Sequence, residues 1–134
     1  MAVAYLACMA LVAQIYHLPP RVLPSIQRVE GGVPGMVSRN ANGTDDLGVM
    51  QINTVWLPTL QIITRLPEPV LRDRLTNLAC FNIAASGAIM RLHLDESKGD
   101  LMRAVGNYHS RTPGLHQQYR LKVLRQAARI FAAR

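Results

Sequence analysis

The sequence predicts an all-α fold built as one domain over residues 1–134. Its 134 residues are enough for a single domain with an ordinary hydrophobic core. Apolar residues recur three to four positions apart in several segments, and no segment alternates strictly between apolar and polar residues as a half-buried strand would. Glycine and proline separate these segments. We therefore expect about six helices around one core, with little or no sheet.

Two helices and a long loop are predicted in the first third of the chain. Residues 2–16 are apolar on almost every side, which predicts a deeply buried helix that ends at the prolines within 17–20. A second helix is expected over residues 20–30, because its apolar residues follow helical spacing and the glycine pair 31–32 comes next. Residues 31–46 are rich in glycine, asparagine and aspartate, which favour turns, so we expect a loop there.

Short connections separate the helices predicted in the middle of the chain. A short helix should begin at Thr54 and end at 57, where a proline follows. A second short helix is expected after residues 67–69, and a long one should run to about residue 94 from a cap at 76 or 77. Gly87 lies within that long helix and would let another element approach closely. A further helix is predicted over residues 101–108.

The last predicted helix, residues 113–134, contains basic residues and no acidic ones. Its basic side chains would form either the solvated face of a core helix or a face that meets an acidic polymer or a membrane. The apolar residues expected to face the core recur at i, i+3, i+7 and i+10, and they are Leu121, Leu124, Ala128 and Phe131.

The overall charge and hydropathy restrict the classes of partner. The formal net charge of +7 favours acidic partners. Aromatic residues are only 5% of the chain and are not interleaved with basic ones, so we expect no nucleic-acid partner. No apolar run reaches the roughly 18 residues of a membrane-spanning helix. The apolar N-terminus lacks the basic start and the cleavage site of a signal peptide, so an exported protein would have its signal outside this sequence.

The two cysteines, Cys8 and Cys80, allow two interpretations. They could be two buried thiols that act as small apolar side chains, or one disulfide formed in an oxidising compartment. Two distant cysteines do not make a zinc site, and no histidine pair at metal-binding spacing accompanies them. We therefore predict no metal and no cofactor.

Glu30 is the strongest candidate for a catalytic group, because it combines a helix C-terminus with a polar, glycine-rich loop. The negative end of the helix dipole should raise the pKa of its carboxyl. Most glycosidases use two carboxylates, and the only candidates before residue 68 are Asp45 and Asp46. One carboxylate is sufficient if a 2-acetamido sugar supplies its own nucleophile, the carbonyl oxygen of its acetamido group. The alternative is a solvated glutamate with no catalytic role.

Four short motifs resemble the soluble lytic transglycosylase domain, and especially its small members attached to conjugation, secretion and pilus machineries. They are RVEGG at 28–32, SRNANG at 38–43, DLGVMQIN at 46–53 and AVGNY at 104–108. The resemblance covers about residues 8 to 120. It implies a lysozyme-like fold with a catalytic cleft. It also implies that the two cysteines form a disulfide, since this subgroup carries such a pair.

The resemblance further implies an activity and a set of site residues. The enzyme would cleave the β-1,4 bond between N-acetylmuramic acid and N-acetylglucosamine in peptidoglycan and leave 1,6-anhydro ends. Glu30 would serve first as the acid and then as the base. The predicted partners are peptidoglycan strands and components of a secretion, conjugation or pilus machine. The protein would be a monomer in the periplasm or outside the cell. The substrate-binding residues would be Ser38, Asn40, Gly48, Val49, Met50, Gln51, Asn53 and Tyr108.

The chain also departs from the family pattern, and two other functions remain possible. Gly31 replaces a serine that often follows the glutamate, and residues 109–111 are His-Ser-Arg where the family usually has Asn-Ala-Gly. One alternative is a lysozyme of the goose type, in which Asp45 or Asp46 positions a hydrolytic water. The other is a non-catalytic assembly protein that grips peptidoglycan or a secretion partner.

Overall fold

A computed structural model describes residues 4–132, and this part of the chain is mainly helical with a small three-stranded sheet. The prediction of an all-α fold with about six helices is confirmed only as a mainly helical class, since the described residues form seven α-helices and a sheet. The helices are α1 (Leu6–Ile15), α2 (Val22–Glu30), α3 (Leu57–Thr64), α4 (Glu68–Asn77), α5 (Ala79–Glu96), α6 (Leu101–His109) and α7 (Pro113–Ile130). The strands are β1 (Val37–Arg39), β2 (Asp45–Leu47) and β3 (Ile52–Asn53), and a 3₁₀ turn covers Thr54–Trp56.

The sheet corrects the prediction of a loop over residues 31–46. Strands β1 and β2 pair antiparallel, with Val37 opposite Leu47 and Arg39 opposite Asp45, and β3 pairs with the other edge of β2. Each strand has at most three residues. Segments so short show no alternation of apolar and polar side chains, and their composition is that of turns, which is why the pattern concealed them.

Helix α3 also differs from the predicted short helix over 54–57. Pro58 was expected to end that helix, but it lies in the first turn of α3, where its missing N–H has no helical partner to lose. The residue that caps the preceding 3₁₀ turn is Asn53, whose side chain accepts a hydrogen bond from the N–H of Val55.

The prediction that the first helix is deeply buried was wrong for one of its faces. Met9, Val12 and Ala13 of α1 are buried, whereas the side chains of Leu11 and Ile15 are each 58% exposed. An all-apolar helix gives no sign of which face meets the core, and only tertiary packing decides it. Residues 2 and 3 of the predicted helix lie outside the described residues.

Close packing of α1 against α5 agrees with the role predicted for Gly87. A Cβ added to Gly87 would lie 2.3 Å from Cγ1 of Val12 and 3.0 Å from Cδ2 of Tyr16. The absence of a side chain at position 87 therefore allows the two helices to approach. The Cys8–Cys80 disulfide joins the same two helices, with 5.7 Å between the Cα atoms, so the interpretation as a disulfide is confirmed.

Helix α5 lies at the centre of the core, and α7 packs along α2, with Tyr119 at the C-terminal end of that helix. Ten residues of α5 are buried, among them the polar Asn82 and Ser86. The buried residues of α7 are Tyr119 and Val123. Leu121 and Leu124, which were predicted to face the core, are about half exposed, so the apolar stripe of this helix was assigned to the wrong face. Within residues 4–132, no helix has the length and hydropathy to cross a membrane.

Candidate functional site

A cleft of about 540 Å³ opens beside Glu30, between the sheet, the 3₁₀ turn, α5 and α6. Its walls carry several amide and hydroxyl side chains. Among the side chains that line it are Glu30, Asn40, Asn42, Thr44, Asp46, Gln51, Asn53, Trp56, His93, Asn107, Tyr108 and Arg111.

Glu30 is the last residue of α2 and lies half-buried at the edge of this cleft. Gly31 ends the helix with a φ of 67°, a left-handed conformation that glycine adopts without strain. Burial raises the pKa of the Glu30 carboxyl from 4.5 to about 7. A hydrogen bond from Tyr119 and the charge of Lys122 lower this pKa, and the charge of Asp46 raises it. The predicted direction is confirmed, but its main cause is burial.

Tyr119 is the direct partner of Glu30, and sequence reasoning missed it. Its hydroxyl donates a hydrogen bond of 2.7 Å to Oε2 of Glu30. The ring is buried and stacks on His109, with centroids 4.8 Å apart and planes 9° from parallel. Burial raises the pKa of Tyr119 well above its usual value, so the phenol stays a donor. Tyr119 lies four residues before Val123, the other buried residue of α7, so the two share its inner face, which the sequence did not identify.

Tyr108, the predicted tyrosine of the site, lines the same cleft from α6. Its hydroxyl donates to the carbonyl of Met50 at 3.2 Å and lies 3.3 Å from the hydroxyl of Ser86. Burial raises the pKa of Tyr108 far above its usual value. The ring is therefore held in place at the cleft wall as a neutral phenol.

Three residues of the predicted binding motif are packed inside the protein and do not line the cleft. Gly48 has a φ of 68°, and a Cβ there would lie 2.3 Å from the carbonyl oxygen of Leu75. Val49 and Met50 are buried in the core and do not line the cleft, although they were predicted to form its wall. A Cβ on Gly32 would lie 2.1 Å from the Gly48 carbonyl oxygen, so the two segments meet backbone to backbone.

The other predicted binding residues are divided between the cleft and the sheet. Asn40, Gln51 and Asn53 line the cleft. The Asn53 amide donates to Oδ1 of Asp46 and to Oγ1 of Thr44, both at 3.0 Å, which fixes its orientation. Ser38 lies on β1 opposite Asp46 and does not line the cleft.

The two candidate second carboxylates have different environments. Asp45 is buried and pairs with Arg39 and Arg72, away from the cleft. Asp46 lines the cleft and influences the pKa of Glu30 through its charge. Of these two residues, only Asp46 can act on a ligand in the cleft.

Trp56 and His93 form an aromatic part of the cleft that the sequence motifs did not indicate. Their rings meet edge to face, with centroids 5.4 Å apart. Burial lowers the pKa of His93, and its Nε2 has no hydrogen-bond partner within residues 4–132. The half-buried Trp56 offers an apolar surface on which the face of a sugar ring can rest.

Asn82 holds the motif over 46–53 in place, and nothing in the sequence marked it. It is fully buried on α5. Its Oδ1 accepts the N–H of Met50 at 2.8 Å, and its Nδ2 donates to the carbonyls of Leu47 and Leu75, each at 2.8 Å. One side chain therefore satisfies three buried backbone groups from β2, the turn after it and α4.

Replacement of Asn82 by alanine is expected to destabilise the protein by roughly 3 kcal/mol, because three buried backbone groups lose their partner. Urea denaturation of the variant and the wild type measures the difference. The exposed Asn77→Ala is the control and should change stability by less than about 0.5 kcal/mol. An equal loss in both variants would contradict the structural role of Asn82.

Glu30→Gln is expected to change the free energy of unfolding by different amounts at two pH values. Relative to the wild type, the variant should gain roughly 2 kcal/mol more stability at pH about 8 than at pH about 5. Below pH 4.5 the carboxyl is protonated in both the folded and unfolded states, and above about 7 it is charged in both. The raised pKa therefore favours folding at low pH, and this contribution is lost as the pH rises through about 7. Glutamine has no charge to bury. Urea denaturation at the two pH values checks this, with the exposed Glu68→Gln as control; the same stability change at both would refute it.

Within the described residues, no group of three or more histidine, cysteine, aspartate or glutamate side chains is arranged to hold a metal ion. Comparison of the chain with protein-family models finds no match, and comparison with curated proteins finds none either. The assignment of a function therefore depends on the chemistry of the cleft and on the resemblance of the four motifs.

Proposed function

We propose that this protein is a peptidoglycan lytic transglycosylase with a lysozyme-like arrangement of helices and a small sheet around its cleft. The observation that carries the proposal is Glu30, a half-buried acid at the cleft with a pKa of about 7. General acid–base catalysis is most effective when the pKa lies near the working pH. The four sequence motifs of the transglycosylase domain include this glutamate and Tyr108.

The proposed reaction uses Glu30 twice. The protonated carboxyl first gives its proton to the glycosidic oxygen, and the acetamido carbonyl oxygen of the muramic acid attacks C1 as the C1–O bond breaks. The Glu30 carboxylate then removes the proton of the 6-hydroxyl. The 6-oxygen attacks C1 and displaces the acetamido oxygen, which gives the 1,6-anhydro product and a protonated Glu30. No water is consumed.

The surroundings of Glu30 support both proton transfers. The Tyr119 hydroxyl, 2.7 Å away, stabilises the carboxylate that exists between the two steps. Burial keeps the proton affinity of this carboxylate high enough to take the proton of the 6-hydroxyl in the second step. The amides of Asn40, Gln51 and Asn53 offer hydrogen bonds for sugar hydroxyls and N-acetyl groups, and Trp56 offers an apolar face.

The cellular context is proposed on the same basis. A disulfide between α1 and α5 is compatible with an oxidising compartment such as the periplasm or the cell exterior. In that location the enzyme would open the cell wall locally for a secretion, conjugation or pilus apparatus. The net charge of +7 would favour contact with the carboxylates of peptidoglycan.

Mass spectrometry of peptidoglycan digested with the purified protein tests the proposed activity. We expect muropeptides with 1,6-anhydro ends, which weigh one water less than hydrolysed products. Reducing muramic acid ends instead would identify a hydrolase. Intact peptidoglycan combined with tight binding would identify a non-catalytic assembly protein.

Asp46→Asn separates the transglycosylase from the hydrolase independently. In a transglycosylase the substitution should lower the rate by less than about tenfold, whereas loss of a base that positions water should lower it by more than about a hundredfold. Because the charge of Asp46 raises the pKa of Glu30, the alkaline decline of the rate should also move to lower pH. Initial rates of lysis across pH measure both effects, with the exposed Asp73→Asn as control.

A further inference from the structure

A second recess of about 540 Å³ opens beside the cleft, between α6 and the first turns of α7. We call it the basic recess. It shares the side chains of Asn107 and Arg111 with the wall of the cleft, so the two openings are adjacent. Its polar lining consists mainly of Arg103, Asn107, Arg111, His116, Gln117 and Arg120.

The basic recess has an excess of positive charge. Arg111 pairs with Glu96, but Arg103 and Arg120 form no salt bridge with any residue in 4–132. Among the described residues that line the recess, only Asp100 carries a carboxylate, and it accepts the N–H of Arg103 at 3.1 Å as the cap of α6. Neither guanidinium is held in a salt bridge by a described residue, although the charge of Arg103 also acts on the nearby Glu96, so both can turn towards an anionic ligand.

The wall of the recess is held by close packing. The ring of His116 lies against Gly106, where an added Cβ would be 2.1 Å from Cε1. Because a carbonyl can only accept, Nδ1 of His116 donates to the Ser110 carbonyl at 3.0 Å. These contacts fix the start of α7 against α6, so the helix positions from which the Arg103 and Arg120 side chains extend are set before a ligand binds.

We infer that the basic recess binds carboxylates of the peptide that hangs from a glycan strand lying in the cleft. The inference rests on the proposed function. The stem peptide leaves the muramic acid through its lactyl group, and its carboxylates must lie beside the sugar that occupies the cleft. The guanidinium fork matches a carboxylate in two parallel hydrogen bonds, which a diffuse positive surface does not provide. The protein would then select glycan that still carries its peptides.

The test compares two substrates and two double variants. Arg103→Gln with Arg120→Gln removes the two available charges of the recess. The control, Arg125→Gln with Arg129→Gln, removes the same net charge from exposed positions of α7 that line neither opening. Affinity is measured for a soluble disaccharide that carries its stem peptide and for the same disaccharide without it. Cleavage is measured on intact peptidoglycan and on glycan stripped of peptides by an amidase.

The recess variant is expected to bind the peptide-bearing disaccharide roughly tenfold more weakly than the wild type, because it lacks two partly exposed arginine–carboxylate pairs. Its affinity for the bare disaccharide should be unchanged. The control should match the wild type on both. Equal loss on both ligands, equal loss in the control, or a wild type that does not distinguish the ligands would each overturn the inference. If only the single Arg103→Gln folds, the same comparison is made with it.

The binding experiment and the product analysis can fail separately. Preferential binding of the peptide-bearing ligand without anhydro products would support peptide binding by the basic recess and contradict the proposed transglycosylase activity. Anhydro products without any preference for the peptide-bearing ligand would support the transglycosylase activity and contradict peptide binding by the basic recess.

Discussion

In the proposed transglycosylase mechanism, Glu30→Gln is expected to lower the rate of peptidoglycan cleavage by roughly a thousandfold, within the range that general acid–base catalysis supplies. The glutamine keeps the shape of the side chain and can still accept the hydrogen bond of Tyr119, which is 2.7 Å in the native protein. It can neither protonate the leaving oxygen nor deprotonate the 6-hydroxyl. Both half-reactions are therefore lost together, while the cleft remains able to bind glycan.

The measurement is the initial rate of release of soluble muropeptides, together with a binding assay on the same peptidoglycan. Glu68→Gln is the matched control, because Glu68 is exposed on α4 and does not line the cleft. In the wild type, the rate should fall as the pH rises through about 7, where Glu30 loses its proton. A variant that retains more than about a tenth of the rate would remove Glu30 from the mechanism.

Removal of the disulfide by Cys8→Ser with Cys80→Ser is expected to cost about 4 kcal/mol of stability, because the bond closes a loop of 72 residues in the unfolded chain. For a domain of this size, such a loss lowers the melting temperature by roughly 10–15 °C. The bond joins α1 to α5 and neither cysteine lines the cleft. Activity at low temperature should therefore be retained.

Thermal unfolding of the double variant and of the wild type with and without reductant checks this expectation. Reductant should shift the melting of the wild type towards that of the variant and leave the variant itself unchanged. A melting temperature within about 3 °C of the oxidised wild type would mean that the unfolded chain is not restricted by the bond.

The sequence predicted most helices, because each has apolar residues at helical spacing and a glycine, proline or polar cap at its ends. It could not predict the strands of 37–53, because they are too short to show a period. It also assigned the wrong face of α7 to the core. A helix with apolar residues on several faces leaves that choice to its neighbours, and here Tyr119 turns inward because Glu30 and His109 lie opposite.

The candidate site was predictable where chemistry is concentrated in a motif and unpredictable where it depends on distant contacts. Glu30, Gln51, Asn53 and Tyr108 all line the cleft, as the motifs indicate. Asn82 lies 35 residues from Leu47, one of the residues whose backbone it binds. A single asparagine in an apolar helix does not indicate that its side chain will pair with buried backbone groups elsewhere in the chain. Tertiary contacts of this kind have no local signature in a single sequence.

The hydrogen bond from Tyr119 to Glu30 spans 89 positions of the chain and determines how small a working version of this protein can be. A fragment that ended after α6 would retain every motif residue, but it would lack Tyr119, the hydrogen-bond partner of Glu30, and the rest of α7, which packs against α2. Burial is the main cause of the raised pKa of Glu30, so exposure of the carboxyl to water would lower that pKa from about 7 towards its ordinary value. Any shortened or transplanted version must therefore include α7, however complete its motifs are.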